Sequence, residues 1–235
     1  MTPSWITAVV GWFAEKFGGK LVVYTLDKIR GRLQSIFASR NILILGSEQT
    51  GKTSLILFLT TGKPYEIVKG EIKPPDKTLG YVVVDKKVSL NEGQWIKLKR
   101  DVPGEADLRS YWEMAIDEIK PTGIIYMLDG RLTGEKLENA VTEIFDEVLC
   151  HYEGSGAGLE ALHVFVNFVD QWGTTPVANR EKLRWISELF DKQLERYKGL
   201  QYIRVSFAAT QLSPNKDAWI EVERALFAFG ADLLQ

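Results

Sequence analysis

The sequence predicts an α/β protein: a mostly parallel sheet of about six strands, one of them antiparallel, with helices on both faces. Three observations carry that expectation. Apolar runs of strand length alternate with stretches of helical periodicity from Asn41 onward. One pair of β-rich runs, "YVVVDKKVSL" and "QWIKLKRD", is joined closely enough by "NEG" to be a hairpin. The first strand, "NILILG", stops in a glycine loop that opens a helix at Lys52.

At 235 residues the chain has room for one sizeable α/β domain with an appendage. An apolar fraction of 45% beside 26% charged residues excludes wholesale disorder. A formal charge of -2 supplies no general attraction to nucleic acid, so no nucleic-acid partner is expected. The single cysteine, Cys150, excludes an internal disulfide and fits a reducing compartment such as the cytoplasm.

Residues 1–40 differ from the rest. Trp5, Val9, Trp12, Phe13 and Phe17 fall at helical spacing among Lys16, Lys20, Lys28, Arg30, Arg32 and Arg40, which reads as a basic amphipathic helical extension. Glu15 and Lys16 interrupt its apolar run, so it is expected neither to be a signal peptide nor to span a bilayer. Two roles stand open: docking on the protein's own domain or a partner, and peripheral contact with an anionic membrane surface.

The domain proper, 41–235, follows in order. After the strand "NILILG" comes a helix from Lys52 to Thr61, then the hairpin, then a helix from about Ala106 to Ile119 halted near Pro121. Next are the strand "GIIYMLDG", a helix from about Glu135 to His151, the strand "LHVFVNFVD" and a helix from about Arg180 to Lys198. The strand "YIRVSFAAT" and a helix from about Lys216 close the series. "EGSGAG" is a surface loop by composition, and "KGEIKPPDKT" has no regular period.

The loop after the first strand matches G-x-x-x-x-G-K-[ST] from Gly46 to Thr53. Its glycines let the N–H groups of Gly46, Ser47, Glu48, Gln49, Thr50 and Gly51 curl around phosphate oxygens. The helix N-terminus adds partial positive charge, and Lys52 a full one. Thr53 is placed to ligate Mg²⁺ and Ser54 to reach an α-phosphate. The ligand read from these residues is a nucleoside triphosphate, and the fold a P-loop NTPase.

Three further stations lie at strand ends. "RDVPGE" puts Asp101 where it can hold Mg²⁺ through water and Gly104 where its N–H can meet a γ-phosphate, although D-x-x-G is also a common β-turn. Thr78 closes an irregular segment before the hairpin; it is either a switch residue that caps Mg²⁺ and the γ-phosphate or a solvated threonine. "VFVNFVDQW" places Asn167 and Asp170 at the end of another strand. A carboxylate there accepts from guanine N1–H and N2–H₂, whereas adenine would present it a lone pair. Ala208, in "VSFAAT", is the candidate backbone donor to guanine O6.

Together these residues resemble the Ras-like small GTPases, and within them the Arf and signal-recognition-particle-receptor β-subunit branch. "DVPGEADLRSYW" is similar to that branch's D-V-G-G-Q-x-x-x-R-x-x-W segment, with Asp101, Gly104, Arg109 and Trp112 in step. "KTLGYVV" is similar to its first switch, so the resemblance carries the Mg²⁺-capping role to Thr78. Glu48 stands where Arf-like proteins have aspartate. Glu105 stands where the family places the glutamine that orients attacking water, and its charge near a γ-phosphate implies slow hydrolysis. Phe168 stands where the guanine motif carries lysine, keeping an apolar lid over the base and losing a cation.

The resemblance implies GTP and GDP as ligands, Mg²⁺ as the metal, and a GTP-dependent switch that signals to an effector or regulatory protein through Thr78 to Gly104. Two other classes are weighed beside it. A P-loop kinase or ATPase would need an acceptor site, and none is evident; a scaffold that holds GTP with little hydrolysis is compatible with Glu105 and Phe168.

Overall fold

The computed structural model describes residues 41–61, 82–90, 94–101, 110–153, 158–172 and 176–212, with part of 221–233. The N-terminal extension, the segment holding Thr78 and the segment holding Gly104, Glu105 and Arg109 lie outside the described residues. In chain order the elements are β1 (Ile42–Gly46), α1 (Lys52–Thr61), β2 (Val82–Leu90), β3 (Gln94–Asp101), α2 (Ser110–Ile119) and β4 (Gly123–Asp129). There follow α3 (Glu135–Glu147), β5 (Ala161–Asn167), α4 (Pro176–Arg196) and β6 (Arg204–Ala209). Residues between 221 and 232 are helical.

Four strands form a parallel sheet in the order β1-β4-β5-β6. Its register aligns Gly46 with Met127 and Asp129 with Asn167, so the C-terminal strand ends and the loops that follow them share one edge. The central strands β4 and β5 are buried along nearly their whole length and mostly apolar, with both faces covered, the pattern of a buried parallel sheet. Leu43, Leu45, Ile124, Tyr126, Leu128, Leu162, Val164 and Val166 face one core with residues of α2, α3 and α4. Ile42, Ile44, Ile125, Met127 and Phe165 face the other with α1 and the C-terminal helical residues. The period-2 alternation of strand side chains makes this division.

The helices meet these cores at the spacing the sequence dictates. Leu137, Ala140, Val141, Ile144 and Phe145 of α3 are buried at i, i+3, i+4, i+7 and i+8. Trp112, Ala115, Ile116 and Ile119 do the same for α2. Helix α4 begins at Pro176, a turn before the expected Arg180, because proline's fixed φ suits the first helical position. Both α3 and α4 stop short of their expected ends and are followed by short 3₁₀ turns, Leu149–Tyr152 and Lys198–Leu200.

Two expectations change. The hairpin β2–β3 is antiparallel as expected, yet it forms its own two-stranded sheet beside a four-stranded parallel one rather than completing six. Strand β3 runs near β1 and α1. A register irregularity between Val83 and Lys86 adds local twist, which works against a flat continuation. The strand read as "LHVFVNFVD" ends at Asn167, because Phe168 turns left-handed (φ 63°, ψ 33°) and Val169–Gln171 form a 3₁₀ turn. Asp170 is therefore on that turn and not at a strand end.

One partly buried polar chain pins the C-terminal helical residues to the sheet. Ser206 Oγ donates to Asp232 Oδ2 at 3.1 Å and lies 2.8 Å from His163 Nδ1, on the paired residue of β5. A hydroxyl has one proton, so with Asp232 taking it His163 donates from Nδ1, and burial favours the neutral form of the ring. Its Nε2 is buried with no hydrogen-bond partner among the described residues, and the ring meets Phe165 and Phe229 edge-on. Burial pushes the His163 pKa from 6.5 down to about 3.

The unfolded chain thus takes up a proton below pH 6.5 that the folded state refuses until near pH 3. The His163 contribution is fully present above that upper value and is lost as pH falls through the window, at a slope of up to about 1.4 kcal/mol per pH unit. Thermal melts from pH 7 to 5 are expected to fall more steeply for the wild type than for His163→Asn, whose amide keeps a donor near Nδ1. Parallel slopes would contradict this.

Candidate functional site

The site is built on the loop between β1 and α1. Gly46 has φ 142°, and a Cβ there would collide with the Met127 carbonyl oxygen on β4. Gly51 has φ 99°, and a Cβ would lie 2.7 Å from Leu212 Cδ1 and 2.8 Å from Asn167 Nδ2. Each glycine therefore combines a backbone conformation that side chains resist with a close neighbour. Between them Gln49 is also left-handed, at φ 58°, and exposed.

Inside the loop, Thr50 Oγ1 donates to Ser47 O at 2.9 Å and Lys52 Nζ donates to the same oxygen at 2.8 Å. Gln49 Nε2 donates to Glu48 Oε1 at 3.3 Å. Thr50 and Lys52 are buried, while Thr53 and Ser54 are half-buried in the first turn of α1. The bond from Leu55 N to Gly51 O, 3.0 Å, starts the helical ladder. The amides ahead of it carry the partial positive charge of a helix start. A concave ring of backbone with a lysine across it is suited to an anion.

Asn167 joins this loop to the other side of the site. Its side chain is 1% exposed, donates from Nδ2 to Thr50 O at 3.0 Å and accepts from Leu212 N at 3.0 Å. Read from sequence as part of a base-binding pair with Asp170, it also links two loops of the site. Ala208 lies within β6 opposite Phe165, two residues short of the level of Asn167. Past the end of β6, Leu212 meets the Asn167 side chain through its N–H, a residue that sequence reasoning did not single out.

A second cluster was also missed. Just past β4, Arg131 bonds the Asp129 carboxylate through Nε (2.9 and 3.1 Å) and Nη2 (2.8 Å), and its guanidinium carbon lies 4.1 Å from the Phe168 ring centroid. The Asp129 hydrogen bond holds the Arg131 pKa above its ordinary value against the opposing effect of burial, with smaller help from the charges of Asp129 and Asp170. Gly130 donates its N–H to Asn167 O at 2.8 Å, and its carbonyl accepts from Trp172 Nε1 and, at 2.9 Å, from Lys182 Nζ. Burial lowers the Lys182 pKa, against the pull of Asp129, and its ammonium lies 4.8 Å from the Trp172 ring centroid. The available signal was "DGR" at a strand end, which is too short to be distinguished from an ordinary turn.

Of the other expected residues, Asp101 is the last residue of β3, paired with Val82, and Trp112 is fully buried in the core beside α3. Thr78, Gly104 and Glu105 fall outside the described residues.

A family model described as the signal recognition particle receptor beta subunit matches residues 38–163, more than half of the chain. No curated protein matches this chain in sequence. Among solved structures, the mammalian signal recognition particle receptor is similar with a TM-score of 0.54 and 15% identity, over 79% of this chain and 98% of that one. The receptor SRb-GTP/SRX complex from Chaetomium thermophilum gives 0.53 and 14%, over 81% and 96%. The ADP-ribosylation-factor-like GTP-binding protein and small COPII coat GTPase from Encephalitozoon cuniculi, in complex with GDP, gives 0.51 and 16%, over 97% and 94%. These likenesses show the α/β P-loop GTPase fold. With the phosphate-type loop and its strand ends in place, the family match identifies the chain as a member of the signal recognition particle receptor β-subunit family, in the Arf-related branch of the Ras-like small GTPases.

Proposed function

We propose that the chain binds GTP and GDP with Mg²⁺ in the Gly46–Ser54 loop and acts as a molecular switch with slow intrinsic hydrolysis. The observation that supports this is the loop itself: closed by its two glycines against Met127 and Leu212, tied through Asn167, with Lys52 bonded to Ser47 O. In this reading the amides from Gly46 to Gly51 hold the phosphates, Lys52 faces the β- and γ-phosphates, Thr53 ligates Mg²⁺ and Ser54 meets the α-phosphate. Asp101 reaches Mg²⁺ through water, Thr78 caps it, and Gly104 donates to the γ-phosphate. The Encephalitozoon and Chaetomium relatives, in complexes with GDP and GTP respectively, favour a guanine nucleotide.

On the base side, Asp170 is the carboxylate for guanine N1–H and N2–H₂, Phe168 is the apolar lid, and Ala208 or the residues just after it offer an amide to O6. The domain runs from 41 to 235, and 1–40 form a separate helical extension. A partner protein reads the Thr78 to Gly104 region; the Chaetomium relative, for its part, is in a complex with SRX. No described helix is long and apolar enough to cross a membrane; the extension docks on protein or contacts a membrane surface peripherally from the cytoplasmic side. Glu105 also favours a second reading, a GTP-holding scaffold with little hydrolysis.

Calorimetric titration in Mg²⁺ is expected to favour GTP over ATP by about tenfold or more, since adenine leaves the Asp170 carboxylate unpaired. Equal affinities would remove the guanine assignment. Replacing Glu105 by glutamine takes a negative charge away from the γ-phosphate, and single-turnover hydrolysis should rise by about tenfold. A rate that stays level or falls would show that Glu105 does not restrain the reaction.

A further inference from the structure

We propose that Arg131 is a nucleotide-positioning residue at the purine end of the site, supplying a cation from the loop after β4 and backing the Phe168 ring as a wall of the base pocket. The inference rests on the guanine-nucleotide reading above. Phe168 stands between Asn167, which touches the phosphate loop, and the 3₁₀ turn that carries Asp170. The Arg131 guanidinium covers one face of that ring at 4.1 Å, within the range of a cation–π contact.

The placement is over-determined. The Asp129 carboxylate takes both the Arg131 backbone N–H, at 2.9 Å, and two guanidinium nitrogens, so stem and head are fixed by one group. Gly130, between them, is bonded to Asn167, Trp172 and Lys182, and a Cβ on it would strike the Asn167 carbonyl. The Asp129 carboxylate thus holds the guanidinium at Phe168, beside the turn whose Gly130 N–H meets the Asn167 carbonyl.

Its chemistry suits that corner. Asp129 and Asp170 would together present two negative charges close to a polyphosphate ligand; Arg131 offsets one and still makes its stack. Arg131 Nη1 donates to none of the described residues, and the side chain is 41% exposed, so the guanidinium keeps its charge behind the Phe168 wall while the purine lies on the other face of the ring. Asp170 is read as taking the donor edge of the same base. The phosphate end already has its cation in Lys52, some distance along the same rim, so Arg131 acts on the base and the phosphates are not its target.

Calorimetry of the full chain with GDP and Mg²⁺ tests this with four proteins: wild type, Arg131→Gln, Phe168→Lys combined with Arg131→Gln, and Arg131→Lys. Arg131→Gln should lose about tenfold in affinity, and moving the cation to position 168 in the double variant should restore most of it. Arg131→Lys, which keeps charge without the planar stack, should fall between wild type and Arg131→Gln. If Arg131→Gln binds like wild type, or if it weakens and the double variant does not recover, the inference is overturned; the latter result assigns Arg131 a purely structural role. Should Arg131→Gln fail to fold, Arg131→Lys decides, and an undiminished affinity overturns the proposal. Wild type that does not bind GDP overturns the guanine reading and this inference with it.

Discussion

The Asn167 side chain, closed off from solvent, donates to Thr50 O and accepts from Leu212 N, and the two halves of the site are held to each other through it. Both backbone partners would be buried polar groups without it, which makes their satisfaction a condition of the fold in this region. The same contact explains why Gly51 must be glycine: the amide sits where a Cβ would project. The backbone of Asn167 extends the link, since its carbonyl takes the Gly130 N–H and so fixes the turn after β4. One residue at the end of one strand thus coordinates three loops.

The sheet makes this possible by bringing β1, β4, β5 and β6 to a common edge in parallel register. Two apolar cores, one on each face, hold that edge in place from below, and the loops above it carry the charge. At the β1 end the charge is Lys52 within a ring of amides; at the β4 and β5 ends it is Arg131 and Lys182 set against Asp129 and Asp170. An anionic tail and an aromatic, hydrogen-bonding head fit this division of labour, as in a nucleotide. Away from the rim, the one buried histidine is neutral and serves to fasten the C-terminal helical residues, not to react.

Most of this arrangement could be read from residue pattern, and the exceptions have physical reasons. Continuous apolar runs at 42–46, 123–129 and 161–167 made the parallel strands plain, and glycine spacing with Lys52 made the anion loop plain, because both signals are local. The turn at Phe168 was hidden because a phenylalanine in the left-handed region carries no mark in the sequence; only the contacts around it hold it there. The pairing of Asn167 with Leu212, and of Arg131 with Phe168, joins residues far apart in the chain and depends on register, which periodicity does not specify. The start of α4 was missed by one turn because Pro176 reads as a breaker unless it is recognised as a first helical residue.

The central claim is that the backbone between Gly46 and Ser54 is the nucleotide cradle and that Asn167 transmits its occupancy across the rim. Amide hydrogen exchange of the full chain with and without GDP and Mg²⁺ tests it most directly. The account predicts slowed exchange at residues 46–54 together with the Leu212 and Gly130 amides, the first bonded to the Asn167 side chain and the second to its carbonyl. Saturating nucleotide that leaves the exchange of 46–54 unchanged would contradict it.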